Sequence, residues 1–355
     1  MDKQTNLVKS GVPALLTWYE QVRRPLPFRE NPTPYRVWVS EIMLQQTRIE
    51  AVLPHFAAFM AAFPTVAALA DADDERLLKL WEGLGYYSRA RNLKSAAIEI
   101  CKTYGGVLPA DFDKLRALPG IGDYTAGAIA SIAYGLPVPA VDGNVLRVFS
   151  RLLCYDVDVL SVKGRRELTA AVKAVLPPDT PGAFNEAVME LGETVCLPNT
   201  APLCSGCPLA PVCGAHKTGR ETDFPVRVKK TARRVEQRTV LVAVKDGNVL
   251  VCKRPDRGLL AGLYELPNVE GACSAKDLAA AFGLTLESEP QPLPAAKHLF
   301  SHVEWQLSGY AVAVSGDAPA NGRFVTADEL KNETALPSAF QVYGKRIPAL
   351  LEETL

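Results

Sequence analysis

The chain has 355 residues, and its 39 basic residues balance 39 acidic ones, so the formal net charge is zero. A chain of this length is longer than the residues that one hydrophobic core usually organises, so we predict two or three domains. Hydrophobic residues make up 48% of the chain, which excludes an intrinsically disordered protein. A zero net charge argues only weakly against a nucleic-acid partner, because the distribution of the charges matters more than their sum.

No segment has the pattern of a signal peptide or a membrane span. The first ten residues are polar and lack an apolar core. The longest uncharged stretch, residues 124–141, is interrupted by Gly135, Pro137 and Pro139, whereas a membrane span needs about 20 continuous apolar residues. Eight cysteines without an export signal indicate a reducing compartment. We therefore expect a cytoplasmic protein without membrane contact.

Residues 7 to about 218 have the periodicity of helices. One helical face is formed by five apolar residues: Trp38, Ile42, Ile49, Leu53 and Phe56. Pro64 is expected to end that helix. Further helices are predicted over residues 71–82, 125–134 and 144–153.

The composition changes between residues 217 and 238. This stretch contains eight Lys or Arg and three acidic residues, which gives a net charge of 8 − 3 = +5. We predict a basic linker over residues 220–234. Such a segment could follow a phosphate backbone, but a solvated tether is an equally good interpretation.

Beyond the linker the hydrophobic pattern becomes strand-like. Residues 239–244, a turn at Asp246-Gly247 and residues 248–252 predict a β-hairpin. One helix is predicted near residues 276–282. The pattern indicates a separate α+β domain at the C-terminus.

The run Leu118-Pro119-Gly120-Ile121-Gly122, followed by Thr125, predicts a helix, a tight glycine turn and a second helix. Glycine permits positive φ and a close approach of the backbone to a partner. The N-terminus of the second helix offers free N–H groups that suit a DNA phosphate. Gly120, Gly122 and Thr125 are therefore candidate DNA-binding residues, and an ordinary helix–helix turn is the alternative.

Two carboxylates are candidates for catalysis. Asp142 precedes a predicted helix, whose N-terminal donors would keep it ionised and able to stabilise a sugar cation. Glu41 lies beside an apolar helical face, where a raised pKa would let it act as a general acid. A simple N-cap and an exposed helical glutamate are the structural alternatives. Two carboxylates in opposite protonation states are the usual device for breaking a glycosidic bond.

Four cysteines lie within eighteen residues with the spacing C-x7-C-x2-C-x5-C: Cys196, Cys204, Cys207 and Cys213. Four thiols this close indicate a metal site. Zinc sites of four cysteines usually contain two C-x-x-C pairs, and only one is present, so a [4Fe–4S] cluster fits better. The other four are scattered and are expected to be packing residues: Cys101, Cys154, Cys252 and Cys273.

Together these features resemble the endonuclease III superfamily and, within it, the MutY-type adenine DNA glycosylases. The likeness covers nearly the whole chain. Beyond the glycine turn it is carried by four segments: LPFR at 26–29, WVSEIMLQQT at 38–47, GLGYYSRARNL at 83–93 and VDGNV at 141–145. It implies a monofunctional enzyme of base excision repair that hydrolyses the N-glycosidic bond of adenine opposite 8-oxoguanine or guanine. The expected partner is double-stranded DNA containing these mispairs, and the expected form is a monomer in the nucleoid of a bacterial-type cytoplasm.

The resemblance also implies roles for individual residues. Glu41 is the expected general acid and Asp142 the group that stabilises the sugar cation, with Tyr124 and Asn144 as further catalytic residues. Bifunctional lyases of the superfamily carry a nucleophilic lysine at the position of Tyr124. A tyrosine cannot form a Schiff base, so efficient strand cleavage is not expected.

Four more residues are expected to bind the substrate strand. Gln46 and Tyr86 would wedge into the duplex as adenine flips out. Glu186 and Arg29 would contact the extruded adenine.

The C-terminal region resembles the Nudix-like domain of the same family through Lys253-Arg254-Pro255 and the segment 262–267. A working Nudix hydrolase needs a metal-binding R-E-x-x-E-E helix, and residues 268–284 contain none. Phe300, Ser301 and His302 match the loop that senses 8-oxoguanine, for which a plain β-turn is the alternative.

The sequence thus predicts a mainly α, two-lobed helix–hairpin–helix glycosylase with a [4Fe–4S] cluster and a C-terminal α+β Nudix-like domain. The predicted divisions are a hairpin lobe, a cluster lobe, the linker and the Nudix-like domain: 30–136, 7–29 with 137–219, 220–234 and 235–355. One departure from the family is the loop 197–203, which has no basic side chain with which to make the family's phosphate contact.

Three rival functions remain open at this stage. The first is a bifunctional glycosylase/lyase for oxidised pyrimidines, against which Tyr124 argues. The second is a non-catalytic DNA-damage binding protein, which would need neither carboxylate. The third is a nucleotide-pyrophosphate hydrolase, which lacks its metal-binding glutamates.

Overall fold

The computed structural model describes residues 3–228 and 233–353. The chain divides into two compact units, Met1–Asp71 with Asn92–Lys229 and Ala72–Arg91 with Lys230–Leu355. The first unit is helical and the second is built on a β-sheet. None of the described helices is both long and apolar enough to span a membrane.

The α-helices follow one another along the chain as α1 Lys3–Ser10, α2 Val12–Val22, α3 Pro27–Glu30, α4 Pro34–Leu44, α5 Ile49–Ala62, α6 Val66–Ala70, α7 Asp74–Leu80, α8 Ser88–Tyr104, α9 Phe112–Ala117, α10 Asp123–Ala128, α11 Gly143–Leu153, α12 Val162–Val175, α13 Pro181–Thr194, α14 Gly214–Lys217, α15 Ala275–Ala281, α16 Ala327–Asn332, α17 Gln341–Gly344 and α18 Ile347–Glu353. A short π-helix, Ile129–Ala133, continues α10.

In the first unit, α2, α11, α12 and α13 pack around one hydrophobic core. Its members include Leu15, Phe149, Leu168 and Phe184, each at most 2% exposed. Helix α11 contributes an apolar face to this core. Its N-terminus is capped by Asp142, and it ends at Cys154, which has a left-handed backbone conformation. This core holds the segments that carry Asp142 and the four clustered cysteines.

The predicted helix from Trp38 to Phe56 is interrupted. Helix α4 ends at Leu44 and α5 begins at Ile49. Both helices bury apolar side chains, so the sequence shows apolar residues at helical spacing on both sides of the break. Gln46 has a φ of +57° in the gap, a left-handed conformation that a helix interior does not allow. Hydrophobic spacing alone could not reveal this break.

The second unit contains an eight-stranded sheet. The strands are β1 Arg234–Lys245, β2 Asn248–Lys253, β3 Tyr264–Glu265, β4 Asn268–Glu270, β5 Thr285–Leu286, β6 Gln291–Leu299, β7 Val303–Ser315 and β8 Gly322–Val325. The predicted hairpin is present as β1 and β2, with Lys245 opposite Asn248. β1 and β7 pair in parallel from Arg234–Val303 to Val244–Ala313.

Side chains alternate between the two faces of this sheet. Val240 and Val242 of β1 belong to a core that includes Trp305 and Phe340, whereas Leu241 and Ala243 belong to a second core around α15. This period of two is the pattern of a strand buried on both faces.

The observed division differs from the predicted one in three places. The two predicted helical lobes lie together in the first unit. Residues 72–91 belong to the second unit: Lys79 bonds to the carbonyls of Leu330 and Thr334, and Glu82 accepts from the N–H of Leu336. These polar contacts join segments more than 200 residues apart in the chain, so the sequence pattern does not indicate them.

Residues 220–228, which we predicted as the first part of a linker, are instead packed on the first unit. Phe224 is 2% exposed in its core, and the Arg151 guanidinium donates to the carbonyls of Glu221 and Phe224. An apolar anchor therefore outweighs the basic composition there. Residues 229–232 of the predicted linker lie outside the described part of the chain.

Candidate active site

A cleft of about 1510 Å³ opens within the first unit. It is lined by α4, by the turn before α10, by the segment around Asp142 and by α13. Glu41, Tyr124, Asp142, Asn144 and Glu186 all line this one cleft, although they are spread over 146 positions of the chain.

Glu41 is held on α4, which begins at Pro34 after a Thr33 N-cap. Its side chain is buried, with 8% exposure, and its Oε2 accepts a hydrogen bond from the Tyr124 hydroxyl. Burial raises the pKa of Glu41 to about 7, while the hydrogen bond from Tyr124 acts in the opposite direction and the nearby Asp142 adds to the rise. A carboxyl group with this pKa is partly protonated at neutral pH and is able to donate a proton.

Tyr124 lies between Glu41 and α13. Burial, and then the negative charge of Glu41, raise the pKa of Tyr124 well above its ordinary value, so its hydroxyl remains protonated and donates to Glu41. Its oxygen also lies 3.6 Å from the Met189 sulfur. This geometry makes Tyr124 a residue that orients Glu41.

Asp142 caps α11. Its Oδ1 accepts from the Val145 N–H at 2.8 Å and its Oδ2 accepts from Asn144 Nδ2 at 2.9 Å. Burial raises the pKa of Asp142, and the bonds from Val145 and Asn144 oppose that rise. The N-cap geometry expected from the sequence is present, but burial outweighs these bonds, so the pKa of Asp142 is raised overall and is not held down by the helix donors as the sequence predicted.

A chain of polar contacts runs from Asp142 towards the cysteine segment. Arg147 donates to Asn144 Oδ1 at 2.7 Å, to the Gly192 carbonyl at 2.8 Å and to the Cys196 carbonyl at 2.8 Å. Arg147 is only 4% exposed. The sequence analysis missed this residue, although its i, i+3 spacing from Asn144 on one helix was a possible signal.

The two predicted adenine contacts form a charged group with a residue that the sequence analysis also missed. Arg29 lies 3.3 Å from Glu186 and 2.8 Å from Glu190, and Arg24 lies 2.6 Å from Glu190. Glu190 is 1% exposed, so the two arginines compensate a buried charge. Burial raises the pKa of Glu186, and the positive charge of Arg29 lowers it.

The predicted DNA-binding residues differ in their accessibility. Gln46 is exposed and lines the cleft. Gly120 has a φ of +73°, and a Cβ there would lie 2.6 Å from Asn92 Cβ, so both conformation and packing require glycine. Gly122 is exposed at the start of α10. Thr125 is 2% exposed, and its hydroxyl accepts from Gln45, so its side chain is poorly placed for a phosphate.

The four clustered cysteines line a second, small cavity with the apolar side chains of Val148, Leu191 and Leu209. Burial raises the pKa of Cys207 to about 12 and that of Cys213 to about 11. Buried thiols of this kind become thiolates only beside compensating positive charge, which a metal centre supplies. Arg151, which also lines this cavity, donates to the Cys196 sulfur at 3.1 Å.

In the second unit, Phe300, Ser301 and His302 form the turn between β6 and β7. Ser301 and His302 are exposed, and the Ser301 hydroxyl lies 3.0 Å from the Tyr86 hydroxyl. Phe300 packs edge-on against Trp305 with ring centroids 4.9 Å apart. Phe300 is half-buried by this contact, whereas its two polar neighbours are exposed.

Tyr86, like Gln46, has a positive φ, of +47°. A non-glycine residue in this region is uncommon and marks a backbone held in place by its surroundings. Its side chain is 47% exposed, and its hydroxyl lies 3.0 Å from that of Ser301.

Comparisons with known proteins identify both parts of the chain. The HhH-GPD superfamily of base excision DNA repair proteins matches residues 39–177, and the NUDIX domain matches residues 239–345. The adenine DNA glycosylase of Rattus norvegicus is 34% identical over 397 residues, which cover 93% of this chain and 77% of that protein. The adenine DNA glycosylase of Homo sapiens is 34% identical over 405 residues, covering 94% and 74%.

Among solved structures, this chain is similar to a thermostable thymine-DNA glycosylase, with 25% sequence identity and a TM-score of 0.56. The match covers 61% of this chain and 100% of that protein. Both the catalytic fold and the C-terminal domain predicted from the sequence are thereby confirmed. The chain belongs to the adenine DNA glycosylase family of helix–hairpin–helix base excision repair enzymes.

Proposed function

We propose that this DNA glycosylase removes adenine paired with 8-oxoguanine or guanine, by hydrolysis in the cleft that contains Glu41 and Asp142. The observation that carries the proposal is the pair of buried carboxyl groups, one with a pKa of about 7 and one capped by helix donors. Burial raises the pKa of both groups, but Asp142 also accepts from the Val145 N–H and the Asn144 amide, which favour its ionised form, whereas Glu41 accepts from the Tyr124 hydroxyl. We therefore assign the acid role to Glu41 and the charge-stabilising role to Asp142. The relatives are named adenine DNA glycosylases, which indicates the base.

The chemistry follows from these two groups. The Glu41 carboxyl transfers its proton to N7 of the extruded adenine, and the C1′–N9 bond then breaks with its electron pair moving to the base. The Asp142 carboxylate stabilises the positive charge that develops on the sugar. A water molecule adds to C1′ and releases a proton, which leaves an abasic site and free adenine.

Tyr124 keeps Glu41 in position and supplies no amine. A lyase that cleaves the strand needs a nucleophile able to form a Schiff base. We therefore propose a monofunctional enzyme, with the bifunctional lyase as the alternative that strand cleavage without alkali would reveal.

We propose further that Cys196, Cys204, Cys207 and Cys213 hold a [4Fe–4S] cluster. The support for the proposal is that all four side chains line one small cavity and that their segment contains a single C-x-x-C pair, which suits a [4Fe–4S] cluster better than zinc. When bound, the cluster would tie together the cysteine segments through iron–thiolate bonds. Hydrolysis requires no electron transfer, so the four residues act on folding and DNA affinity.

We propose that Ser301 and His302 recognise the oxidised guanine. This base differs from guanine by an oxygen at C8 and a proton at N7, and a serine hydroxyl and an imidazole can bond to such groups. The support for the proposal is that both side chains are exposed on one turn, beside the hydroxyl of Tyr86.

The test uses four duplexes with adenine opposite 8-oxoguanine, guanine, cytosine or thymine, each incubated with enzyme and then treated with alkali. Alkali converts abasic sites to strand breaks whether or not the enzyme is a lyase. We expect cleavage of the first two duplexes and little of the others, and none with the Asp142→Asn variant. Equal cleavage of all four would contradict the proposed specificity, and breaks before alkali would contradict the monofunctional assignment.

A further inference from the structure

The cleft has a basic face that the proposed chemistry does not use. Helix α12 places Arg165, Thr169 and Lys173 at i, i+4 and i+8, and all three line the cleft. The same helix buries Gly164, Leu168 and Val172 in the core of the first unit. Because each cleft-lining residue directly follows one of these buried residues, the packing of the helix holds the adjacent basic face at the cleft. Arg227 lines the cleft as well.

These cations differ from three of the four other arginines that line the cleft. Arg24 and Arg29 pair with Glu190, and Arg116 pairs with Asp123. In contrast, Arg165, Lys173 and Arg227 are exposed, and none of them makes an ion pair with another described residue. Unpaired cations along one edge of a cleft form the kind of surface that binds a polyanion.

The spacing suits a phosphate backbone. Eight residues of helix separate the Cα atoms of Arg165 and Lys173 by about 12 Å, whereas one DNA strand carries a charge every 3.4 Å of axis. The two side chains can therefore contact different phosphates of one strand. Meanwhile the loop 197–203 has no basic residue with which to make such a contact.

We propose that Arg165, Lys173 and Arg227 form the phosphate-binding surface of this half of the cleft and hold the DNA strand against Asp142. The inference rests on the proposed function only in requiring DNA to occupy the cleft. It assigns a DNA contact to α12 and to the chain segment just after Phe224, part of which we first predicted to be a linker.

The experiment compares two double variants of the holoenzyme. Arg165→Gln with Lys173→Gln removes the cleft-facing charges, and Lys163→Gln with Arg166→Gln removes two exposed charges of the same helix that do not line the cleft. Both variants change the net charge equally and keep most of each aliphatic stem. Affinity for a fully paired duplex is measured by fluorescence anisotropy from 50 to 200 mM salt.

Each lost phosphate contact lowers the slope of log K against log salt by about 0.9. We expect the cleft-facing variant to lower the slope by about 2 units and the control variant to leave it close to that of the unchanged protein. Arg227→Gln is expected to lower it by about 1. Equal slopes for the two double variants would overturn the inference.

The two kinds of failure are distinguishable. If the unchanged enzyme binds duplex and excises adenine but the slopes of the variants are equal, only the assignment of α12 fails. If the unchanged enzyme does not excise adenine from any duplex, the proposed function fails independently of these slopes. Circular dichroism of both double variants verifies that each is folded.

Discussion

Replacing Glu41 by Gln should abolish excision and, at the same time, stabilise the folded protein above neutral pH. Folding raises the pKa of this carboxyl from about 4.5 to about 7 because it is buried with 8% exposure. A group with a raised pKa favours the folded state below its unfolded pKa, and this stabilisation is lost as the pH rises through 7. Glutamine has no charge to bury, and its amide oxygen can still accept from Tyr124.

The magnitude follows from the shift. One pKa unit corresponds to about 1.4 kcal/mol, so a rise of about 2.5 units corresponds to about 3 kcal/mol. The variant should therefore exceed the unchanged protein in free energy of unfolding by about 3 kcal/mol at pH 8. Near pH 4.5 the two proteins should differ little, because Glu41 is then protonated when folded.

The assay is urea unfolding of the holoenzyme followed by tryptophan fluorescence at pH 5, 6, 7 and 8. Glu50→Gln, which changes the same functional group at an exposed position of α5, serves as the control and should shift the unfolding midpoint little at any pH. A difference between Glu41→Gln and the unchanged protein that does not grow with pH would refute the burial argument. Single-turnover excision on the same samples should fall above pH 7 for the unchanged enzyme, as the acid loses its proton.

Four further outcomes are expected. Asp142→Asn should lose adenine release at every pH while it still binds duplex, and a near-normal single-turnover rate would remove Asp142 from the mechanism. The purified protein should contain about four irons per chain, and Cys204→Ser should lose them on elemental analysis; stoichiometric zinc in anaerobic preparations would exclude the cluster. Ser301→Ala with His302→Ala should reduce the preference for 8-oxoguanine over guanine by roughly 1–3 kcal/mol in single-turnover rate and affinity ratios, whereas an unchanged ratio would leave these residues as a turn. Gly309→Ala should destabilise the second unit by about 1–3 kcal/mol in urea, because its Cβ would lie 2.1 Å from the Val240 carbonyl oxygen; Ser308→Ala is the control, and equal midpoints would contradict the clash.

The sequence was informative where function depends on short, local patterns. The N-cap role of Asp142 is determined by an aspartate directly before an amphipathic helix, and the structure has that cap. The β1–β2 hairpin is determined by an Asp-Gly turn between alternating residues. The four cysteines could be grouped because they are close in the chain, whatever the fold around them.

Contacts between distant segments could not be inferred in the same way. The pairing of Arg24 with Glu190 joins residues 166 positions apart. The hydrogen bonds of the Lys79 and Glu82 side chains to residues 330–341 join segments about 250 positions apart. Their polar side chains have no periodicity that separates a buried ion pair from an exposed charge. Phe224 likewise lies in a basic stretch, and only packing identifies it as a core residue.

The sequence by itself determined the helical and strand-rich halves of the chain, the capped Asp142, the cysteine group and the likeness to a glycosylase family. Only the tertiary structure decided that Glu41, Tyr124 and Asp142 share one cleft and that Glu41 has a pKa near 7. The physical reason is that hydrophobic period and capping act within a few residues, whereas burial and electrostatic interaction depend on whatever the fold brings alongside. A carboxyl group acquires its catalytic pKa from neighbours that are remote in the chain.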